Sequence, residues 1–247
     1  MPTFHLLKEH DSISAASVAA ELVVTRLSQA LETTERPILV VAGGSSFIPV
    51  YQQLAADTSL DWARVLLIFG DERCVPADDE RSNFRMVREA WLDRVTGALP
   101  EVCRMRGELP VEEGVAHYTR ILGEIGHGQA PTPTLVLLGV GSDGHTASVF
   151  PGSLERLLTI EAPVAWTEAE LDPRVHRLTL TPGYLTRAEA TLVLATGESK
   201  ADILERVLSD NSESYPISKC LSKTGNNWLI GDQMSLENVK EYLQIVN

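Results

Sequence analysis

Four short stretches of this sequence gather the residue types that grip phosphate or activate water. They are Gly43-Gly44-Ser45-Ser46, Gly70-Asp71-Glu72-Arg73, Gly139-Val140-Gly141-Ser142-Asp143-Gly144-His145-Thr146 and Thr196-Gly197-Glu198-Ser199-Lys200. A Gly-Gly-Ser-Ser stretch that leads into a helix offers free backbone N–H groups to an anion or a developing oxyanion; it is equally an ordinary strand-to-helix turn. Arg73 carries forked donors that match a phosphate, or it spends its charge on a surface ion pair with Asp71, Glu72 or Asp78. Lys200 opens a predicted helix, where a cation opposes the helix dipole unless an anion is bound beside it; a solvated lysine is the alternative.

The third stretch carries the most chemistry. His145 lies between a glycine and hydroxyl residues, with Asp143 two positions earlier. A carboxylate that close can orient an imidazole and raise its basicity, which is what a general base requires. The competing readings are a structural histidine and an Asp-Gly turn. GVGSDG also matches the dinucleotide pattern GxGxxG, but Asp143 would place a carboxylate inside a turn meant to cradle a pyrophosphate. No HExxH, GxSxG or GxxxxGK[ST] string occurs, so zinc, nucleophile-elbow and P-loop chemistry lack spacing support.

These stretches need elements to position them, and the sequence supplies a pattern. Continuous apolar runs precede all four: ILVVA after Pro37, RVLLIF over 64–69, TLVLL over 134–138 and ATLVLA over 190–195. Such runs suit strands buried on both faces of a parallel sheet. Weaker strand candidates are 164–166, 176–181 and 228–230. Helical spacing is present over 14–31, with Ser12 or Ser14 as N-cap, and over 83–95, 112–125 and 200–208. Alternating strands and helices predict a three-layer α/β fold, a mostly parallel sheet flanked by helices, in a single 1–247 domain. In a parallel sheet the carboxyl ends of the strands share one edge, so the four stretches are expected to converge there.

Composition narrows the partners. With 21 Lys+Arg against 34 Asp+Glu, the formal net charge is −13. That disfavours nucleic acid and anionic membranes but leaves room for a small anion held by a few local cations. The three cysteines, Cys74, Cys103 and Cys220, are odd in number and widely spaced, which fits a reducing compartment. The segment MPTFHLLKEHDS lacks the apolar core of a signal peptide, and no run reaches the ~18 apolar residues of a membrane span. A cytoplasmic protein is expected, with its oligomeric state left open.

On these same residues the sequence resembles the 6-phosphogluconolactonase family. The matching strings are VAGGSS, FGDERCVPADDERSNFRMV, LGVGSDGHTASVFPG, RLTLTP and TGESKADIL, followed by Pro216, Trp228 and Asp232. The resemblance implies a modified Rossmann-like fold of the phosphosugar isomerase and CoA-transferase-like type. It implies hydrolysis of 6-phospho-D-glucono-1,5-lactone in the oxidative pentose phosphate pathway, without metal or cofactor. It assigns the general base to His145 and phosphate contacts to Arg73 and Lys200; Asp143, by its proximity, is expected to orient the imidazole. Gly43, Gly44, Ser45 and Asp71 complete the candidate substrate-binding set. Two departures stand out: VAGGSSF replaces the usual SGGSTP-like string, and RLTLTP is one residue shorter than the common form, which leaves Arg177 without an assigned role.

Two rivals compete. Glucosamine-6-phosphate deaminase/isomerases carry DGHIAFNEP, with a glutamate where this chain has Phe150; losing that acid/base group favours the lactonase. A non-catalytic phosphosugar sensor is disfavoured by the strong acidity, by the lack of an attached DNA-binding segment and by the intact Asp143/His145 pair.

Overall fold

The computed structural model describes residues 4–169, 174–209 and 214–239. The strands are β1 His5–Glu9, β2 Ile38–Val41, β3 Leu66–Phe69, β4 Asp71–Arg73, β5 Glu101–Cys103, β6 Leu135–Leu138, β7 Val164–Thr167, β8 Arg177–Leu180, β9 Ala190–Ala195 and β10 Asn227–Asp232. The helices are α1 Ser12–Leu31, α2 Ile48–Ala56, α3 Asn83–Ala90, α4 Val111–Ile125, α5 Leu154–Leu158, α6 Pro182–Leu185 and α7 Ala201–Val207.

The apolar runs do what their composition demands. Every residue of β2, β3, β6 and β9 is buried, because helices cover both faces of a parallel sheet and leave no polar side for alternation. Seven strands pair in the order β1-β10-β9-β6-β2-β3-β5, and every pairing among them is parallel. On one side of β2 lies β3, its successor in the chain; on the other lies β6. Strand order therefore reverses between β2 and β6, and a crevice opens beyond their carboxyl ends.

A second, three-stranded antiparallel sheet has the order β4-β8-β7. It absorbs the weaker candidates at 164–166 and 176–181, and it converts the expected loop at Asp71–Arg73 into a strand. Gly70 joins the sheets: its N–H donates to Val41 O at 3.0 Å, and its carbonyl accepts from Leu180 N at 2.8 Å.

Local chemistry moves two helix boundaries. Asp11, not Ser12 or Ser14, caps α1; its Oδ1 accepts from Ile13 N at 3.0 Å and Ser14 N at 2.8 Å, while Ser14 Oγ returns a bond to the cap. A carboxylate at a helix N-terminus is favoured by both the free N–H groups and the dipole, and the Ser14 N–H leads in pulling the Asp11 carboxyl down to about 2. The helix expected over 83–95 stops at Ala90, and Leu92–Arg94 forms a separate 3-10 turn. Trp91 is fully buried there, stacked 5.7 Å from Tyr51 and edge-on at 4.9 Å to Trp62, and seating that indole outweighs continuing the helix.

Candidate active site

The four stretches meet. A cleft of about 430 Å³ lies at the reversal between β2 and β6 and is lined by residues from all of them. Gly43, Gly44, Ser45, Asp71, Arg73, His145 and Lys200 contribute to its wall. Asp143 is not part of that wall; it stands behind His145.

The histidine loop is closed by its own hydrogen bonds. Gly141 N donates to His145 O at 2.8 Å, Gly144 N to Gly141 O at 3.0 Å, and Thr146 Oγ1 to Gly139 O at 2.7 Å. Asp143 Oδ1 lies 2.6 Å from His145 Nδ1 and also accepts the His145 backbone N–H at 3.0 Å. A carboxylate can only accept, so Nδ1 carries the proton and Nε2 is left as the basic nitrogen. Burial pushes the Asp143 carboxyl up, but the backbone N–H, the charge and the ring N–H of His145 outweigh it and hold the group below its ordinary value. Gly141 allows this packing: a Cβ there would sit 2.0 Å from His145 Nδ1 and 2.8 Å from Asp143 Oδ1. Phe150 closes the other side of the imidazole, with ring centroids 4.9 Å apart. Ala147, next to the pair, holds φ at +47°, a conformation that costs a non-glycine residue about 1–3 kcal/mol and concentrates at functional sites.

The two cations reach the cleft from opposite sides. Arg73 donates from one terminal nitrogen to Arg81 O at 2.5 Å. None of Asp71, Glu72 and Asp78 forms an ion pair with it among the described residues, and its Nε–H is buried without a partner. Its cross-strand neighbour is Arg177, which is buried behind it and does not line the cleft. Burial lowers the Arg177 pKa, Arg73 lowers it further, and Asp71 counters. Lys200 ends a 3-10 turn and leads directly into α7. Burial pushes its ammonium down and Asp143 pulls it back up. The turn is pinned from β10, since both Asp232 carboxylate oxygens accept Gly197 N at 3.0 Å.

Opposite the histidine lies the glycine loop. Gly44, at φ +97°, starts a 3-10 turn whose first hydrogen bond runs from Phe47 N to Gly44 O. The N–H groups of Ser45 and Ser46 precede that bond and have no acceptor within the turn. Asp71 spends both carboxylate oxygens internally: Oδ2 on Ser148 Oγ at 2.6 Å, Oδ1 on Asn83 Nδ2 at 3.1 Å. Glu72 turns away from the cleft; it accepts the N–H groups of Asn83 at 2.7 Å and Phe84 at 2.8 Å and so caps α3. Burial raises the Glu72 pKa against those bonds. Asn83, Ser148 and Asp232 received no site role from the sequence, although Asp232 and the strings that hold Ser148 and Asn83 carry the family resemblance. Ser82-Asn83 lies inside the matched DER…SN string, which was the available signal. Among the described residues no three His, Cys, Asp or Glu side chains are grouped to hold a metal ion.

Comparison with known proteins identifies the family. Residues 10–229 match the family model described as glucosamine-6-phosphate isomerases/6-phosphogluconolactonase. The chain belongs to this family. Within it, the 6-phosphogluconolactonase of Rattus norvegicus is 35% identical over 214 residues, covering 83% of this chain and 82% of the relative. That of Thermotoga maritima is 31% identical over 214 residues, covering 85% and 91%. A crystal structure of the Thermotoga maritima 6-phosphogluconolactonase superposes with TM-score 0.80 and 29% identity, covering 93% of this chain and 99% of that one. A monomeric glucosamine-6-phosphate deaminase gives TM-score 0.79 at 16% identity, covering 95% of this chain and 100% of that one. The fold is thus shared with proteins of both activities, and the choice between them falls to the residues in the cleft.

Proposed function

We propose that this chain hydrolyses 6-phospho-D-glucono-1,5-lactone to 6-phospho-D-gluconate, a step of the oxidative pentose phosphate pathway. The observation that carries the reading is a histidine oriented by a carboxylate, sharing one cleft with two cations. The curated relatives named above point to the same reaction.

The ring ester is reactive, so water can serve as nucleophile once a base takes its proton. His145 Nε2 accepts that proton as the water oxygen bonds to C1, and Asp143 steadies the imidazolium that forms. Charge moves to the former carbonyl oxygen, where the free N–H groups at Ser45 and Ser46 stabilise it, about 3–4 kcal/mol for a good donor. The intermediate collapses by breaking the bond from C1 to the ring oxygen, which leaves as a hydroxyl with the proton returned by His145. Arg73 and Lys200 bind the 6-phosphate and use that remote contact to seat C1 beside the base. Asp71 and Gly43 shape the wall and keep the loops in register. We take 1–247 as a single domain, whose three unpaired cysteines suit the cytoplasm.

The test is hydrolysis of freshly made 6-phosphogluconolactone, followed spectrophotometrically and corrected for spontaneous decay. Unphosphorylated gluconolactone and glucosamine 6-phosphate serve as comparisons. Enhanced turnover of the phosphorylated lactone alone is expected. Release of ammonia from glucosamine 6-phosphate, or tight product binding without turnover, would sink the reading.

A further inference from the structure

The reaction proposed above needs the glycine loop and the histidine loop held at a fixed separation, and a buried string of polar groups runs between them. Asn83 is 2% exposed although it forms part of the cleft wall. Its Nδ2 donates to Asp71 O at 3.0 Å and to Asp71 Oδ1 at 3.1 Å. Its carboxamide lies flat against the glycine loop: a Cβ at Gly43 would be 2.2 Å from Asn83 Oδ1. The other Asp71 oxygen accepts Ser148 Oγ at 2.6 Å, three residues beyond His145. Ser148 is held in turn through its backbone, with N–H donating to Thr179 Oγ1 at 3.3 Å and carbonyl accepting from Thr167 Oγ1 at 3.0 Å.

We propose that Asn83 is a positioning residue for catalysis: through Asp71 and Ser148 it sets the distance between the oxyanion-binding loop and the general base. The claim rests on the lactonase reading and extends it.

The chemistry of each member is specific. Asp71 and Ser148 are 7% and 1% exposed, so bulk water cannot readily replace a lost partner, and a broken link leaves a buried polar atom unsatisfied. Position 83 must donate, because Asp71 Oδ1 accepts. It must also be flat, because the Gly43 backbone lies directly on it. An aspartate there has the flat shape without the donor, until it takes up a proton. Two carboxyl groups at that spacing share a proton, which raises the pH at which one of them is neutral. The charged and titratable groups facing this pair are Glu72 and Arg73 on β4, Arg177 on β8, Tyr51 on α2 and His145 across the cleft.

The experiment compares wild type, Asn83→Asp, Asn83→Ala, Ser148→Ala and the Asn83→Ala/Ser148→Ala double variant. At about pH 8, Asn83→Ala and Asn83→Asp are expected to lose about tenfold or more in kcat, with KM within about twofold of wild type. As pH falls toward about 6, the ratio of Asn83→Asp to wild-type activity rises, because the protonated acid donates again, while the Asn83→Ala ratio stays flat. The double variant loses no more than the worse single one, since both cut the same string. Wild-type kcat in Asn83→Ala, a flat Asn83→Asp ratio, or additive losses would each overturn the proposal. A second readout needs no turnover: the ring nitrogen NMR shifts of His145 change in Asn83→Ala and in Ser148→Ala, and unchanged shifts in both overturn it. Absence of wild-type turnover counts against the lactonase reading, and the NMR arm then decides on Asn83 alone.

Discussion

Asp143 Oδ1 receives two hydrogen bonds from a single residue, the backbone N–H of His145 at 3.0 Å and its ring Nδ1 at 2.6 Å. One oxygen thereby fixes both the backbone and the ring of the base. Asn in its place can offer an amide N–H to Nδ1 and stabilise the wrong tautomer. Asp143→Asn should lower kcat by ~10²–10⁴ with little change in KM, as should His145→Ala. Steady-state kinetics on the phosphorylated lactone check this. Wild-type kcat in either variant removes that residue from the mechanism.

The same pair links stability to pH. The Asp143 carboxyl is held below its ordinary value of 3.8, so folding favours its ionised form. The stabilisation is complete above that value and is lost as pH falls through the lower, folded-state one. Urea midpoints for wild type and Asp143→Asn should therefore differ at neutral pH and converge in acid. A difference that stays unchanged down to the most acidic pH at which the chain still folds would contradict the assignment.

Gly141→Ala tests how little room the pair has. Its Cβ would fall 2.0 Å from His145 Nδ1, so the ring must move. A shift of about 1 Å at a reacting group can cost ~10²-fold in rate. We expect kcat to fall by about that factor while the chain still melts cooperatively. Full activity would show that the ring has more freedom than its contacts suggest.

The cations predict a trade between binding and stability. Burial lowers the Lys200 pKa, so the charged amine costs the folded, ligand-free protein at every pH below its folded-state value. That cost shrinks as pH rises past the folded-state value and is gone above the ordinary 10.5. Lys200→Met should raise the melting temperature at neutral pH by about 2–4 °C at most, a gain of under about 1 kcal/mol after solvent screening. It should also raise KM for the phosphorylated substrate. A lowered melting temperature would show that the ammonium is stabilised by contacts other than a bound anion.

Arg73→Ala should act mainly on affinity. With a buried Nε–H and no carboxylate partner, the guanidinium is poised for an anion. KM is expected to rise tenfold or more for the phosphorylated lactone, about the value of one charge-assisted contact, and to stay unchanged for unphosphorylated gluconolactone. Equal effects on both substrates would remove Arg73 from the phosphate site.

Much of this was legible in the sequence because parallel sheets write themselves as continuous apolar runs. ILVVA, RVLLIF, TLVLL and ATLVLA each became a buried strand, and the stretch after each reached the cleft. What escaped had weaker local signals. β1 and β5 are short edge strands with part-exposed residues, so neither burial nor alternation marks them. The antiparallel sheet was hidden because Asp71-Glu72-Arg73 is charged and reads as a loop; its strand character comes only from pairing with Arg177–Thr179 far along the chain. Asn83, Ser148 and Asp232 escaped for a related reason. Each acts on a backbone or side chain between 12 and 77 residues away, and no spacing rule encodes such a partner.

Among the described residues β1 pairs with β10 alone, and β10 also carries the aspartate that pins the lysine turn. Closing that margin of the sheet and seating the ammonium thus depend on one strand. Loosening β10 should therefore weaken the grip on a sugar phosphate while the central strands, paired among themselves, stay buried.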